Sequence, residues 1–489
     1  MKQKNLTAIL SLVIIATFLL AACAPATTSS TTDTVSATEV AAQTTNTVQS
    51  TAPDASTAAP GAPPSISAGG PPPGSGTSGS SVDEGLATAT GAYTLDGGSA
   101  TLSDQTYSAT EADQSGVYVI NGGELSLANA TITTSGNTSS DENSSFYGLN
   151  AGVLANNSTI DLTNSTITTS GTGANGAFAV GSDSLVNLTD VNIIATGDGG
   201  HGVMATQGGT MTLTNVTFTT TGAHSAPVAT DRGGGTITTK GDTITTAGQD
   251  SPCYYSTGTI TVSDANCKAT GSEAVVIEGA NSVTLTNSTL TASVENKWGV
   301  MIYQSFSGDA LGSEGVFTMT GGSLSYTASN GPLFYITNTK GILTLKGVDI
   351  NAASGTIVRA EGNDRWGTSG SNGGTVVFTA DGQILTGNLS ADNISSISAT
   401  LQNGSSLTGA INADNTSAKI NLTLDANSLW NVTADSHISC LVDADEISGS
   451  TITNIIGNGY TITYDANACP ALGGLTYILS GGGTLQPAN

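Results

Sequence analysis

The segment Leu125-Ser126-Leu127-Ala128-Asn129-Ala130-Thr131-Ile132-Thr133-Thr134-Ser135-Gly136 decides the fold, because it recurs along the chain with little change. Close copies begin at Ile160, Met211 and Val283. The second apolar residue of each copy, looser copies included, falls at 127, 162, 188, 213, 239, 262, 285, 319, 345 and 378, which gives a base period of 23 to 26 residues. A fixed period of this length predicts a solenoid, whose coils bury their apolar faces only by stacking on their neighbours.

Each repeat is strand-like, because apolar residues alternate at period two and Thr, Val and Ile are frequent. One repeat divides into three short strands, with a single residue between the second and the third. That residue is always Asn, Asp or Gly, the types that tolerate a left-handed backbone at a sharp bend. The predicted bend residues are Asn129, Asn164, Asp190, Asn215, Gly241, Asp264, Asn287, Gly321 and Gly347.

Over roughly residues 115–385 these features resemble the parallel β-helices of pectate lyases and polygalacturonases, in which an asparagine ladder lines the bend between the second and third sheets. The resemblance implies an all-β chain folded as a right-handed parallel β-helix, a solenoid with three sheets. It carries no activity by itself, since one fold hosts many functions.

The N-terminus has the features of a secretory signal: two early lysines, an apolar run from Leu6 to Leu20, and the ending Leu20-Ala21-Ala22-Cys23. The ending resembles the lipobox of bacterial lipoproteins. The resemblance implies that residues 1–22 are removed and that Cys23 is lipidated. We therefore expect an extracytoplasmic protein at the cell surface, attached to the bacterial membrane through its lipid anchor.

Composition divides the rest of the chain into four parts. Residues 23–80 are almost wholly Ala, Thr, Ser, Pro and Gly, which predicts a disordered spacer. Residues 81–116 are expected to cap the first coil, because an open solenoid end exposes unpaired strand edges. Regular coils are expected over 117–385, and a C-terminal solenoid of tighter pattern over 386–489.

The C-terminal part resembles the end of autotransporter passenger domains and similar bacterial adhesins. The resemblance lies in Asn403-Gly404-Ser405-Ser406-Leu407-Thr408-Gly409 and Leu429-Trp430-Asn431-Val432. It implies a role in surface adhesion. Because the chain stops at Asn489 with no barrel behind it, the lipid anchor is expected to replace the usual membrane barrel.

The chain is strongly acidic, with a net charge of −26. Loss of residues 1–22 removes two of the 11 basic residues and no acid, which leaves 9 against 37 and a net charge of −28. This charge disfavours nucleic acid and polyanionic polysaccharides as partners. We expect a monomer without metal or cofactor, since neither an EF-hand spacing nor a Gly-Gly-x-Gly-x-Asp array occurs.

Four cysteines besides Cys23 fall into two local pairs. An exported protein forms disulfides, and local pairing suggests Cys253 with Cys267 and Cys440 with Cys469. The sequence alone allows three connectivities.

Three coils carry insertions of about ten residues, from Asn137 to Phe146, from Tyr303 to Glu314 and from Glu361 to Asn372. The last two follow the first strand of a coil, so both are expected beside the same sheet. Loops on a repeat scaffold are where binding usually occurs.

The first strand of the coils also collects aromatic residues. Alternation directs Tyr254 and Phe334 inward and leaves three tyrosines outward, as an exposed row that could stack on sugar rings. The alternative is an aromatic ladder that only stabilises stacked strands. The predicted ligand-binding residues are Tyr255, Glu278, Tyr303, Tyr335, Arg359 and Trp366.

No catalytic residue is predicted. Gly200-His201-Gly202 resembles an element of polygalacturonases, but no adjacent Asp pair accompanies it, and hydrolysis needs converging carboxyl groups. The sequence therefore favours surface adhesion or carbohydrate binding. A polysaccharide-active enzyme on the same fold and a passive structural surface protein are the alternatives.

Thr-x-Thr segments on the third strand, such as Thr131-Ile132-Thr133, resemble the flat faces of some ice-binding solenoids. The series is interrupted at Asn192-Ile193-Ile194 and at Asn266-Cys267-Lys268. Threonine is also what an exposed strand favours on propensity alone.

The lipid anchor yields the first prediction. The protein should label with palmitate and partition into the detergent phase, because two or three acyl chains bury many methylenes at about 0.8 kcal/mol each. Cys23→Ala should abolish both properties. Equal partitioning of the variant and the wild type would contradict lipidation at Cys23.

Overall fold

The computed structural model describes residues 81–306, 310, 312–443 and 446–488. The predictions for residues 1–80, which include Cys23 and the spacer, lie outside the described residues. The described part is a parallel β-solenoid of about 16 turns with three sheets, which confirms the predicted all-β solenoid. Its helices are α1 (Val82–Gly85), α2 (Asp141–Tyr147) and a 3₁₀ turn at Pro470–Leu472. None of the helices in the described residues is long and apolar enough to span a membrane.

The first strands of successive coils form a 12-stranded sheet, with strands numbered along the whole chain. They are β1 (Thr90–Asp96), β4 (Gln114–Ile120), β7 (Val153–Asn156), β10 (Ala177–Val180), β13 (Val203–Thr206), β16 (Val228–Thr230), β19 (Tyr254–Ser256), β22 (Val275–Glu278), β24 (Val300–Tyr303), β26 (Phe334–Thr337), β29 (Thr356–Ala360) and β32 (Asn388–Ala391).

Second and third strands are joined in one 22-stranded sheet, because β23 and β25 continue through the bend. Its strands are β2 (Ser99–Ser103), β3 (Thr106–Ala109), β5 (Glu124–Ala128), β6 (Thr131–Thr134), β8 (Thr159–Thr163), β9 (Thr166–Thr169), β11 (Leu185–Thr189), β12 (Asn192–Ala195), β14 (Thr210–Thr214), β15 (Thr217–Thr220), β17 (Thr236–Lys240), β18 (Thr243–Thr246), β20 (Thr259–Ser263), β21 (Asn266–Ala269), β23 (Ser282–Ala292), β25 (Glu314–Tyr326), β27 (Lys340–Lys346), β28 (Asp349–Ala352), β30 (Thr375–Asp381), β33 (Ser396–Gln402), β35 (Lys419–Leu424) and β38 (Cys440–Val442).

A 9-stranded sheet lies in the C-terminal part of the solenoid. Its strands are β31 (Ile384–Thr386), β34 (Ser406–Gly409), β36 (Leu429–Val432), β37 (Ser436–Ile438), β39 (Ile447–Ser448), β40 (Thr451–Ile456), β41 (Thr461–Tyr464), β42 (Tyr477–Ser480) and β43 (Thr484–Pro487). Two antiparallel pairings, β39 with β40 and β42 with β43, lie at this end of the solenoid.

The repeats stack in register, so that equivalent apolar residues form columns inside the solenoid. Leu127, Leu162, Leu188 and Leu213 are successive Cα partners in parallel strands, and all four are buried. Neighbouring strands in a sheet lie about 4.8 Å apart, which places each leucine in contact with the next. The interior is therefore one continuous hydrophobic core.

The predicted bend residues all adopt the left-handed backbone. Their φ angles lie between 47° and 77°. The side chains also interact along the column, because the Asn129 amide donates to Asp104 Oδ1 at 3.2 Å and the Asn215 amide donates to Asp190 Oδ1 at 3.2 Å. The bend prediction is thus confirmed, and the column stabilises stacking on the outside as the leucines do inside.

The solenoid turns begin within the segment that was expected to act as a cap. Strands β1, β2 and β3 form a complete turn that pairs in parallel with β4, β5 and β6. At the other end, Cys440 and Cys469 are joined by a disulfide, and a second disulfide joins Cys253 and Cys267 near the middle of the solenoid.

Threonines line the outside of the 22-stranded sheet. On the third strand the interruptions at Asn192 and Asn266 fall in the same column as Thr166, Thr217 and Thr243. On the second strand the column is unbroken over nine coils. It consists of Thr212, Thr238, Thr261, Thr284, Thr318, Thr344, Thr379, Thr400 and Thr423.

One buried carboxyl group beside a bend gives the fold a pH dependence. Asp242 accepts hydrogen bonds from the Val216 N–H at 2.9 Å and from the Thr239 hydroxyl. Burial outweighs these bonds and raises the pKa of Asp242 to about 6. Because the folded pKa lies above the unfolded value of about 3.9, the fold favours the protonated form. Its contribution to stability is complete below the unfolded pKa and is lost as the pH rises through 6.

We predict that Asp242→Asn removes this loss, since the uncharged amide can accept from the Val216 N–H through its oxygen and donate to the Thr239 hydroxyl through its nitrogen. The unfolding free energy of the variant minus that of the wild type should increase by about 2–3 kcal/mol from pH 4 to pH 8. Denaturant titrations at the two pH values measure this difference. Asp264→Asn, at the exposed bend of the next coil, is the matched control. A pH profile that Asp242→Asn leaves unchanged would contradict the prediction.

Candidate functional site

The outer face of the 12-stranded sheet carries the predicted ligand-binding residues. Outward side chains form a column in which Tyr255 pairs with Val276, Met301 with Tyr335, and Tyr335 with Arg359. All of these except Arg359 belong to a second hydrophobic cluster, separate from the core within the solenoid, which we call the outer cluster. Its members are Leu86, Tyr118, Phe146, Tyr147, Leu149, Ala151, Leu154, Phe178, Val180, Met204, Ala226, Ala229, Tyr255, Val276, Trp298, Met301, Tyr303, Tyr335 and Trp366.

The directions of the aromatic side chains agree with the sequence prediction. Tyr254 and Phe334 are fully buried in the interior core, whereas their neighbours Tyr255 and Tyr335 belong to the outer cluster. Alternation along each strand was therefore enough to assign the two faces.

The predicted exposure of the tyrosines is wrong. Tyr255, Tyr303 and Tyr335 are only 8%, 2% and 4% exposed. Other aromatic rings cover them: Trp298 stacks on Tyr335 with ring centroids 3.8 Å apart, and Trp366 lies 4.8 Å from Tyr303. The outward row is thus an internal layer between the sheet and the residues packed on it.

Glu278 organises the polar part of this layer. Glu278 and Tyr303 end neighbouring strands and are Cα partners, so their side chains lie side by side. The carboxylate, itself buried, accepts hydrogen bonds from the hydroxyls of Tyr255 at 2.6 Å, of Tyr303 and of Ser305. Burial and the adjacent Glu278 raise the pKa of Tyr255 and of Tyr303 well above the usual value for tyrosine. The two phenols therefore stay protonated and donate to the carboxylate.

The third insertion is held in place by two asparagines. The side-chain oxygen of Asn363 accepts from the backbone N–H groups of Arg365 and Trp366, and the Asn372 amide donates to the carbonyls of Asn363 and Trp366. This turn directs the indole of Trp366 onto Tyr303. Asparagines within a loop are typical of such side-chain-capped turns.

The second insertion adjoins the third. It leaves the sheet directly after Tyr303, and the third leaves after Ala360, at the corresponding end of β29. The two segments meet at Asn338, whose amide donates to the Gln304 carbonyl at 2.7 Å and whose backbone N–H donates to the Asn372 carbonyl at 2.9 Å. The described parts of the two insertions therefore lie on the same side of the sheet, as the sequence predicted.

Accessible groups lie at the margin of these loops, which we call the rim and define as Phe306, Arg359, Glu361 and Arg365. Phe306 is 55% exposed, Arg365 is exposed and lies over the Trp366 ring at 4.9 Å, and Arg359 and Glu361 are partly exposed. Burial raises the pKa of the Glu361 carboxyl despite the opposing effect of Arg359. Of the predicted binding residues, Arg359 is the one that the structure leaves accessible.

The sequence reasoning missed Ser305 and Glu361. Glu361 follows Arg359 by two residues, so strand alternation alone could have placed the two side chains on the same face. Ser305 lies in an insertion outside the repeat, where periodicity gives no information.

The other end of the outer cluster is covered by helix α2, which forms in the first insertion. The Arg232 guanidinium lies 3.7 Å from the centroid of Phe146, and the Thr206 hydroxyl donates to the Phe146 carbonyl at 2.7 Å. The helix is thereby fixed onto the sheet, and its Phe146 and Tyr147 side chains are buried there.

The histidine in the Gly-His-Gly segment is buried. The Nδ1 atom of His201 lies 3.2 Å from the Ala226 carbonyl, and burial lowers the pKa of His201 to about 4. Its environment is that of a neutral structural histidine. Among the described residues, no group of three or more His, Cys, Asp or Glu side chains is arranged to hold a metal ion.

Comparison with protein-family models, with curated proteins and with solved structures finds no match to this chain.

The hydrogen-bonded tyrosines generate a prediction about stability. Tyr303→Phe keeps the ring packing but removes one donor to the buried Glu278 carboxylate, so it should lower the unfolding free energy by about 1.5–3 kcal/mol. Denaturant titration measures the loss. Tyr460→Phe, at a partly exposed tyrosine in the C-terminal sheet region, is the control and should change stability little. Equal stability of Tyr303→Phe and the wild type would show that the carboxylate does not need this donor.

Proposed function

We propose that this protein is a lipid-anchored, extracytoplasmic β-helix rod that acts in surface adhesion by binding carbohydrate at the rim. The observation that carries the proposal is that two insertions leave the 12-stranded sheet at the corresponding ends of β24 and β29 and lie next to each other. They present an exposed ring, Phe306, and an exposed guanidinium, Arg365, beside the partly exposed Arg359 and Glu361.

The chemistry of the rim suits a hydroxylated ligand. An aromatic face stacks on the apolar face of a sugar ring, and guanidinium and carboxyl groups provide donors and acceptors for its hydroxyls. The buried layer beneath, formed by Trp298, Tyr303, Tyr335 and Trp366, gives these groups a packed base. The strong negative charge of the chain favours a neutral polysaccharide over an acidic one.

The proposal predicts a defined loss of binding. The double variant Phe306→Ala, Arg365→Ala should weaken binding of the full chain to neutral oligosaccharides on a glycan array by at least tenfold, because it removes a stacking ring and a charged donor, each worth on the order of 1 kcal/mol. The matched control is Thr133→Ala with Thr168→Ala, on a different face of the rod, which should leave binding unchanged.

Two binding results would count against the proposal, and a third result would favour an enzyme. Binding that survives in the rim variant and disappears in the threonine variant would place the functional face on the 22-stranded sheet. Absence of binding to any glycan would favour the passive structural protein.

Release of soluble sugar would favour the polysaccharide-active enzyme. That alternative rests on Glu361 and its neighbour Asp392, which raises the pKa of the Glu361 carboxyl further. Release should then be lost in Glu361→Gln, since a general acid needs its proton.

A further inference from the structure

Three charged side chains from successive coils meet at the corner that leads into the 12-stranded sheet. Asp250, Glu273 and Lys297 precede β19, β22 and β24 by a few residues each. Lys297 Nζ pairs with Asp250 Oδ1 and lies 3.4 Å from Glu273 Oε2. All three residues are more than nine-tenths buried. We call them the buried triad.

The residues next to the triad in the chain are buried. Cys253, Ala274 and Val275, which adjoin it in the chain, are fully buried. Glu273 Oε2 accepts from the Ser272 hydroxyl at 2.6 Å, whereas Glu273 Oε1 is buried without a hydrogen-bond partner in the described structure. A carboxylate with one such oxygen in a buried site is costly, and a buried ion pair seldom contributes net stability. The triad is therefore hard to explain as a stabilising salt bridge.

We propose that Lys297 and Asp250 become joined by an amide bond between Lys297 Nζ and Asp250 Cγ, with Glu273 as the proton carrier. Lys297 transfers one proton to a carboxyl oxygen of Asp250, and its neutral amine attacks Asp250 Cγ. Glu273 accepts a second proton from the nitrogen and returns it to the same, already protonated oxygen, which leaves as water when the C–O bond breaks. An ammonium and a carboxylate thus become one amide and one water molecule, without an oxidant or an external reactant.

The geometry supplies what this condensation needs. Groups held together by a fold can react with effective concentrations of about 10⁵ M or more, which overcomes the poor reactivity of a free carboxylate. Burial favours the product, because the neutral amide replaces two buried charges. The carboxylates of Glu273 and Asp250 outweigh burial and hold the pKa of Lys297 above its usual range. The ion pair is therefore the resting form, and the reaction proceeds through the minor form in which the amine is neutral.

The position of the bond gives it a structural consequence. It joins residues 47 apart in the chain and links the first and the third of the three coils that the triad spans. The disulfide between Cys253 and Cys267 lies within the same segment. The amide would keep these coils linked under reducing conditions that open the disulfide.

Mass spectrometry of the full chain tests the proposal. After complete reduction of the disulfides, the wild type should be lighter by one water than the mass calculated from its sequence and its N-terminal processing. Trypsin should fail to cleave after Lys297, and residues 241–268 should be recovered attached to residues 269–340 through Asp250 and Lys297.

Lys297→Arg keeps the positive charge but cannot form the bond, so this variant should have its full sequence mass. Glu273→Gln keeps the shape of the side chain but cannot carry the proton, so it should also have its full mass and be cleaved after Lys297. Formation of the Cys253–Cys267 disulfide in each variant reports that this region has folded. Lys340→Arg, in an exposed ion pair with Glu314, is the matched control and should still lack one water.

A wild type of full mass that is cleaved after Lys297 would overturn the proposal. Loss of water that persists in Lys297→Arg would also overturn it, because the dehydration would then lie elsewhere. A cross-link that forms fully in Glu273→Gln would overturn the role of Glu273.

Discussion

The structure depends on one constraint: a single coil of this chain cannot bury its own apolar side chains. The inward residues of each strand become buried only when the next coil lies on them in register, as the column from Leu127 to Leu213 shows. Register in turn requires every coil to bend at the same position of the repeat. The residue with a left-handed backbone between the second and third strands sets that position. Asn, Asp or Gly is needed there because other side chains are strained at positive φ.

Stacking in register converts a sequence period into contacts between side chains. Residues about 25 positions apart become neighbours about 4.8 Å apart, whatever their chemistry. The same rule therefore builds the leucine columns inside, the nine-threonine column outside and the pairing of Glu278 with Tyr303. It also brings Asp250, Glu273 and Lys297 together, although they lie far apart in the sequence. In this solenoid, side chains that interact therefore come from corresponding positions of successive coils.

Sequence reasoning was successful where the repeat is regular. It placed the bends and assigned Tyr254 to the interior and Tyr255 to the outside, because alternation and the period fix both. It failed on the exposure of Tyr303 and Tyr335. Their burial is decided by Trp298 and by the insertion that carries Trp366, and no periodic signal describes how an insertion folds.

Other features were outside the reach of the pattern for related reasons. The position of Trp366 depends on a turn that the side chains of Asn363 and Asn372 stabilise. These hydrogen bonds are local to the insertion and do not recur with the repeat. The buried triad lies in the corners between coils, where the number of residues varies and alignment by period is uncertain by a residue or two. Burial there follows from the three-dimensional path of the chain.

The register of the parallel strands is the central claim, and engineered disulfides test it most directly. Thr261 and Thr284 are Cα partners on the outside of the 22-stranded sheet, whereas Thr261 and Thr286 are offset by two residues. An offset of two residues adds about 6.6 Å along the strand, which takes the Cα atoms of the second pair beyond the usual reach of a disulfide. Under mild oxidation, Thr261→Cys with Thr284→Cys should cross-link almost completely, and Thr261→Cys with Thr286→Cys should not, as peptide mapping without reduction would show. Cross-linking of the offset pair alone would mean that the strands stack in a different register, and the columns described above would be wrong.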